Sequence, residues 1–152
     1  MQTLQGILTE HPFLIDLPAQ CAETVTDCTS NVRFEAGKFI FQEGEEANRF
    51  YLIREGMVAL QIYCEQRGPL TILTLSEGDV LGSSWVFPPY CWKFSAQAVR
   101  DTRTFAVDGN CLRQKAERDP VLGYELLKRF VGLVEQCLEA TRLQLVNVYQ
   151  DL

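Results

Sequence analysis

"VRFEAGKFIFQEGEEANRFYLIREGMVALQIY", residues 32–63, divides into short apolar or alternating runs at Gly37, Gly44 and Gly56. Runs of this length, closed by residues that turn without steric cost, read as β-strands joined by tight turns. The punctuation continues at Gly68, Gly78 and Gly82, giving candidate strands at 32–34, 38–41, 49–54, 57–63, 70–75, 93–99 and 102–107. Short strands with closely spaced turns predict a mainly β sandwich or barrel.

Helices flank this region. Leu4, Ile7 and Leu8 make a short apolar pattern that breaks at Pro12, and "FLIDLPAQCAETV" follows, so two short helices are expected within 1–30. After the β-region at 31–108, Asp108 or Asn110 is placed to cap a helix over "CLRQKAERD", and Pro120 suits the first turn of another. The C-terminal helices occupy 110–150, and all of 1–152 reads as one domain. The last helix extends to about Tyr149, roughly 45 Å at 1.5 Å per residue, longer than a small β-domain is wide.

That helix carries two apolar stripes. Leu127, Val131, Val134, Leu138, Leu145 and Val148 follow heptad spacing, interrupted by Thr141. Leu126, Phe130, Leu133, Cys137 and Ala140 lie about 100° to one side. Both stripes could form a single wide core-facing surface. The favoured reading puts one on the β-domain and the other in a homodimeric helix pair, because a long stripe left in water is a large exposed patch.

Fourteen basic residues against twenty acidic ones give a net charge of −6, with no basic stripe, which argues against direct nucleic-acid binding. No window approaches the roughly 18 apolar residues of a membrane span, and the N-terminus lacks a signal-peptide pattern, so a cytoplasmic protein is expected. Cys21, Cys28, Cys64, Cys91, Cys111 and Cys137 include no C-x-x-C pair. They are expected to be buried or partly buried free thiols, with redox sensing through Cys91 as the alternative.

The 32–63 stretch resembles the first half of the cyclic-nucleotide-binding domain of bacterial catabolite-activator-type and fumarate-nitrate-type regulators and of cyclic-nucleotide-dependent kinases. The resemblance lies in an apolar residue ahead of Gly37, the "FQEGEEAN" turn, "FYLI" and Gly56, while "LTILTLSEGDVLGSS" is similar to the approach to the phosphate-binding cassette. It implies a double-stranded β-helix, or jelly roll, with short N-terminal helices and a long C-terminal helix.

It also implies a ligand site at Gly82, Ser83, Ser84, Trp85, Phe94, Ser95 and Ala96. In the family's cassette a glutamate follows the glycine and accepts from the ribose, and an arginine before a serine-alanine pair holds the cyclic phosphate. Here Ser83 follows Gly82, and Phe94 precedes Ser95-Ala96. Phenylalanine supplies none of arginine's charge-assisted bidentate contact, so tight binding of cyclic AMP or cyclic GMP is not expected. Lys93 is aimed away by strand alternation, leaving Ser95 and backbone N–H groups near 82–84 for at most a weak anion. Between 85 and 94 stand Trp85, Phe87, Pro88, Pro89, Tyr90, Trp92 and Phe94. Either these rings fill the space of a nucleotide, or they reshape the pocket for an apolar or aromatic ligand.

No catalytic constellation or metal site is expected. Cupin-type jelly rolls hold metals with histidines on neighbouring strands, whereas His11 is this chain's only histidine and lies outside the β-region, as a helix-end or surface residue. DNA-binding members of the family continue past the long helix into a helix-turn-helix, while this sequence stops at Leu152, so the resemblance implies the sensing and dimerising half. The expectation is a non-catalytic, dimeric regulatory module with a degenerate cassette, without a cofactor beyond a weak cyclic nucleotide or other small ligand. The alternatives are a true cyclic-nucleotide sensor with a non-standard clamp, using Ser83, Ser84 and Ser95, and a ligand-free adaptor.

Overall fold

The computed structural model describes residues 3–151. Three short helical pieces open the chain: α1 (Leu4–Leu8), a 3-10 turn (Pro12–Leu14) and α2 (Ala19–Asp27). Strands β1 (Thr29–Phe34), β2 (Phe39–Phe41), β3 (Arg49–Glu55), β4 (Met57–Cys64), β5 (Gly68–Ser76), β6 (Val80–Leu81), β7 (Ser95–Ala98) and β8 (Thr102–Asp108) follow, then α3 (Gly109–Arg118) and α4 (Pro120–Gln150). The strands form two antiparallel sheets, ordered β1-β8-β3-β6 and β2-β7-β4-β5, the jelly roll expected from the glycine-punctuated sequence. β6, too short to show a period, was missed from sequence, and several predicted edges move: β1 begins earlier, at Thr29, and β7 begins at Ser95 because Lys93 and Phe94 still belong to the preceding bend.

The central strands of the first sheet, β3 and β8, are buried on both faces, which is why "FYLI" reads as a continuous apolar run rather than an alternating one. Along β3, Phe50 and Leu52 enter a core shared with the helices, while Tyr51 and Ile53 face the interior of the roll. β8 divides in the same way, with Phe105 and Val107 towards the helices and Ala106 inward. The helical core is completed by Leu8, Leu14, Val25, Leu112, Leu122 and Phe130.

Caps fix where the last helices begin. Asp108 Oδ1 accepts from the Cys111 N–H at 3.0 Å, so Asp108 and not Asn110 opens α3. Asp119 accepts from Val121 N–H at 3.1 Å, with Pro120 in the first turn of α4. At 31 residues α4 is about 46 Å long.

Two sequence expectations are corrected. Cys28, the C-cap of α2, and Cys111, in the first turn of α3, form a disulfide with their Cα atoms 6.0 Å apart. The fold brings the ends of these two helices together across 83 residues, a proximity that linear spacing does not reveal. The free thiols are Cys21, Cys64, Cys91 and Cys137, of which Cys64 and Cys137 are exposed rather than buried. His11 does sit at a helix end, as N-cap of the 3-10 turn, but it is not a surface residue. It is buried, because the bend before Pro12 lays the N-terminal segment against β3, where His11 Nε2 meets the Ile53 carbonyl at 3.1 Å.

Candidate ligand-binding site

β6 and the turn at 82–90 stand at the mouth of the roll, and α4 passes over them. Between the roll and α4 lies a cavity of about 740 Å³. Leu60, Ile62, Ile72 and Leu75 of the second sheet line one wall, and Leu133, Cys137, Ala140 and Thr141 of α4 line the other. Those helix positions recur at the spacing of one helix face. Gln144 closes the far end by donating from Nε2 to the Ile72 carbonyl at 3.1 Å.

Three of the seven sequence-predicted site residues, Gly82, Ser83 and Phe94, line this cavity. Gly82 has φ +99°, and a Cβ there would overlap the indole of Trp92, so the turn requires glycine twice over. Phe94 leans against an aromatic pair, Phe41 and Trp92, stacked with ring centres 3.6 Å apart. Its ring occupies the cavity wall where the resemblance called for a guanidinium.

The remaining four lie elsewhere. Trp85 is turned into the helical core, stacked on Phe50 at 5.1 Å and edge-on to Phe130 at 5.4 Å. Its indole N–H is buried without an acceptor. Ser84 is half-buried on the turn, off the cavity lining. Ala96 is buried in the roll interior, and Ser95, its neighbour on the alternate face, opens on a separate outer recess, where its Oγ accepts from the Glu43 N–H at 2.9 Å. Lys93 is exposed, but on the bend before β7 and not through strand alternation.

The aromatic residues of the cassette do not gather in this cavity. Trp85 and Trp92 pack in the two cores, Phe87 is exposed, and Tyr90 lies under the Arg113 guanidinium at 4.3 Å. Of the cassette's rings, Phe94 lines the cavity, and open space remains beside it.

Two arginines that position the site were missed from sequence. Arg113 of α3 donates to the Trp85 carbonyl and to Asn110 Oδ1, and so holds the turn from below. Arg129 of α4 donates from Nε to the Phe13 carbonyl at 2.8 Å and from Nη2 to the Ile15 carbonyl at 2.9 Å, while Nη1 pairs with Glu125 at 2.6 Å. It thereby fastens α4 to the N-terminal segment, and the guanidinium holds the Glu125 carboxyl below its ordinary range. The i,i+4 Glu125–Arg129 spacing was visible, but the carbonyls it reaches belong to a segment more than a hundred residues away.

Among the described residues no group of three or more His, Cys, Asp and Glu side chains gathers as a metal site. No described helix is long and apolar enough to cross a membrane.

Comparison with known proteins places this geometry. The cAMP-dependent protein kinase regulatory subunit of Schizosaccharomyces pombe is 28% identical over 78 residues, which is 51% of this chain and 18% of that protein. The chain thus spans less than a fifth of that relative's length. Among solved structures, a protein of Geobacter metallireducens GS-15 named for cyclic nucleotide binding superposes with TM-score 0.79 at 25% identity, covering 91% of this chain and 99% of that one. The sensor domain of the transcriptional regulator DNR from Pseudomonas aeruginosa superposes with TM-score 0.71 at 18% identity, covering 89% and 91%, and shares the fold. The family model described as cyclic nucleotide-binding domain matches residues 31–119, from within β1 to the cap of α4. With more than half its length inside that match, the chain belongs to the cyclic nucleotide-binding domain family.

Proposed function

We propose that this protein is a non-catalytic regulatory module that senses a small molecule other than a cyclic nucleotide, and that it acts as a homodimer through α4. The observation that carries this reading is the wall of the cavity. Ser83 and Phe94 line it where the family's glutamate and arginine would stand, and among the described residues no arginine or lysine does. A cyclic phosphate there would be desolvated without a partner charge, which costs more than the ring and ribose contacts return.

Dimerisation is supported by the outer stripe of α4. Leu127, Val131, Val134, Leu138, Leu145 and Val148 are each 43–65% exposed in the protomer. The inner set is divided along its length: Leu126 and Phe130 are buried in the helical core, and Leu133 packs against it. A ligand that favours one placement of α4 on the roll would alter the surface presented to the partner copy, which is the differential contact a sensor requires.

A second reading, that of a true cyclic-nucleotide sensor, is favoured by family membership and by relatives named for cyclic nucleotides. Calorimetric titration with cyclic AMP and cyclic GMP separates the two. The wild type is expected to give no heat of binding, and the Phe94→Arg, Ser83→Glu double variant to bind at micromolar concentration. Micromolar binding by the wild type would make it a cyclic-nucleotide sensor with a different phosphate clamp.

A further inference from the structure

The cavity under α4 has a chemistry of its own. Its two long walls are aliphatic, with Leu60, Ile72 and Leu75 facing Leu133, Val134 and Ala140, and its size falls within the range of small-molecule sites. The polar lining residues are Thr74, Thr141 and Gln144 besides Asp79, Ser83 and Gln136. Asp79 is the one charged side chain among the described lining residues. Its Oδ2 accepts from the Ser76 N–H at 2.8 Å, which leaves Oδ1 for a donor.

Resting on the reading of the chain as a small-molecule sensor, we infer that the cavity takes a mainly apolar ligand whose polar end is neutral or cationic, seated at Asp79 and Gln136. An anionic end would lie beside the Asp79 carboxylate with no cation on the lining, an uncompensated like-charge pair in a partly desolvated space. Arg129 does not relieve this. It lines an adjoining recess of about 230 Å³, and its guanidinium is committed to Glu125 and to the Phe13 and Ile15 carbonyls. The Cys137 thiol adds no anion, because partial desolvation by its cavity neighbours and then the Asp79 charge push its pKa up. The net charge of −6 favours approach of a cation over that of an anion.

The test uses one apolar skeleton with three charges: 1-pyrenemethanol, 1-pyrenemethylammonium and 1-pyrenecarboxylate, followed by fluorescence anisotropy, with cyclic AMP titrated alongside by calorimetry. The alcohol and the ammonium are expected to bind, the carboxylate at least about tenfold more weakly. Asp79→Asn should weaken the ammonium more than the alcohol and narrow the gap between the ammonium and the carboxylate. Ala140→Trp and Thr141→Trp, at half-buried and exposed positions of α4, should each abolish binding while circular dichroism and Tm stay near wild type. Equal or tighter carboxylate binding would overturn the charge assignment and leave the sensor reading standing. Binding that survives both tryptophan variants would overturn the site. Cyclic AMP binding with the pyrenes silent would overturn the inference together with the non-nucleotide reading, and silence towards all four probes would overturn small-molecule sensing altogether in favour of a protein-contact adaptor.

Discussion

His11 makes two hydrogen bonds that only a neutral imidazole can make together. Nδ1 accepts from the Phe13 N–H at 3.2 Å, so Nε2 carries the proton and donates to the Ile53 carbonyl. Burial lowers its pKa, opposed in part by the Ile53 hydrogen bond and the Asp79 charge. The unfolded chain therefore binds the proton more readily than the folded one. The stability His11 contributes is complete above about pH 6.5 and is lost as pH falls through that value towards the lower folded pKa, with a slope of at most about 1.4 kcal/mol per pH unit. Urea midpoints measured between pH 7.5 and 5.5 should fall for the wild type and stay flatter for His11→Gln. Parallel declines would place the titration elsewhere. Gly82→Ala tests the cassette turn at the same scale. The positive φ and the Trp92 indole together should cost about 1–3 kcal/mol, read as a lowered urea midpoint. The two residues differ in legibility. Gly82 announced itself through its place between two apolar runs, whereas the burial of His11 depends on a β3 carbonyl 42 residues away.

At the scale of elements, what could be read from sequence is what is local. The glycine spacing located most of the strands, Asp108 (offered together with Asn110) and Pro120 located the starts of α3 and α4, and heptad spacing separated the two stripes of the last helix. The two-residue β6, the turn of Trp85 away from the cavity and the Cys28–Cys111 bond were not legible, because each is decided by packing between distant segments. Even the aromatic cassette, whose composition stood out, gave no hint that its rings divide between two cores. The disulfide joins the end of α2 to the start of α3 and closes a loop of more than eighty residues. By the loop-entropy relation it should stabilise the fold by about 2–5 kcal/mol. Chemical unfolding with and without a dithiol reductant measures this. A reduced protein, or a Cys28→Ser, Cys111→Ser variant, is expected to unfold at a clearly lower urea concentration, and coincident curves would show that the two thiols are unpaired in solution.

On the scale of the whole molecule, α4 serves two surfaces at once. Leu126 and Phe130 anchor its first half in the helical core, Arg129 ties it to the N-terminal segment, and Cys137, Ala140 and Gln144 roof the cavity. The adjacent face of the same helix carries apolar side chains into water from Leu127 to Val148. Val134 belongs to both, since it lines the cavity and falls in the outer stripe. Filling the cavity and pairing the helices are therefore expected to be linked. Sedimentation at micromolar concentration should give a dimer, and Val131→Glu, Leu138→Glu should give a folded monomer, because these two side chains are 65% and 43% exposed and outside both cores. If the two surfaces are coupled, a ligand bound in the cavity shifts the dimer dissociation constant of the wild type, and the monomeric variant binds that ligand with a per-site affinity altered by the square root of that factor, since each dimer holds two cavities. A dimer constant that does not move with ligand would confine α4 to roofing the cavity. A wild type that sediments as a monomer throughout would leave the outer stripe to a different partner.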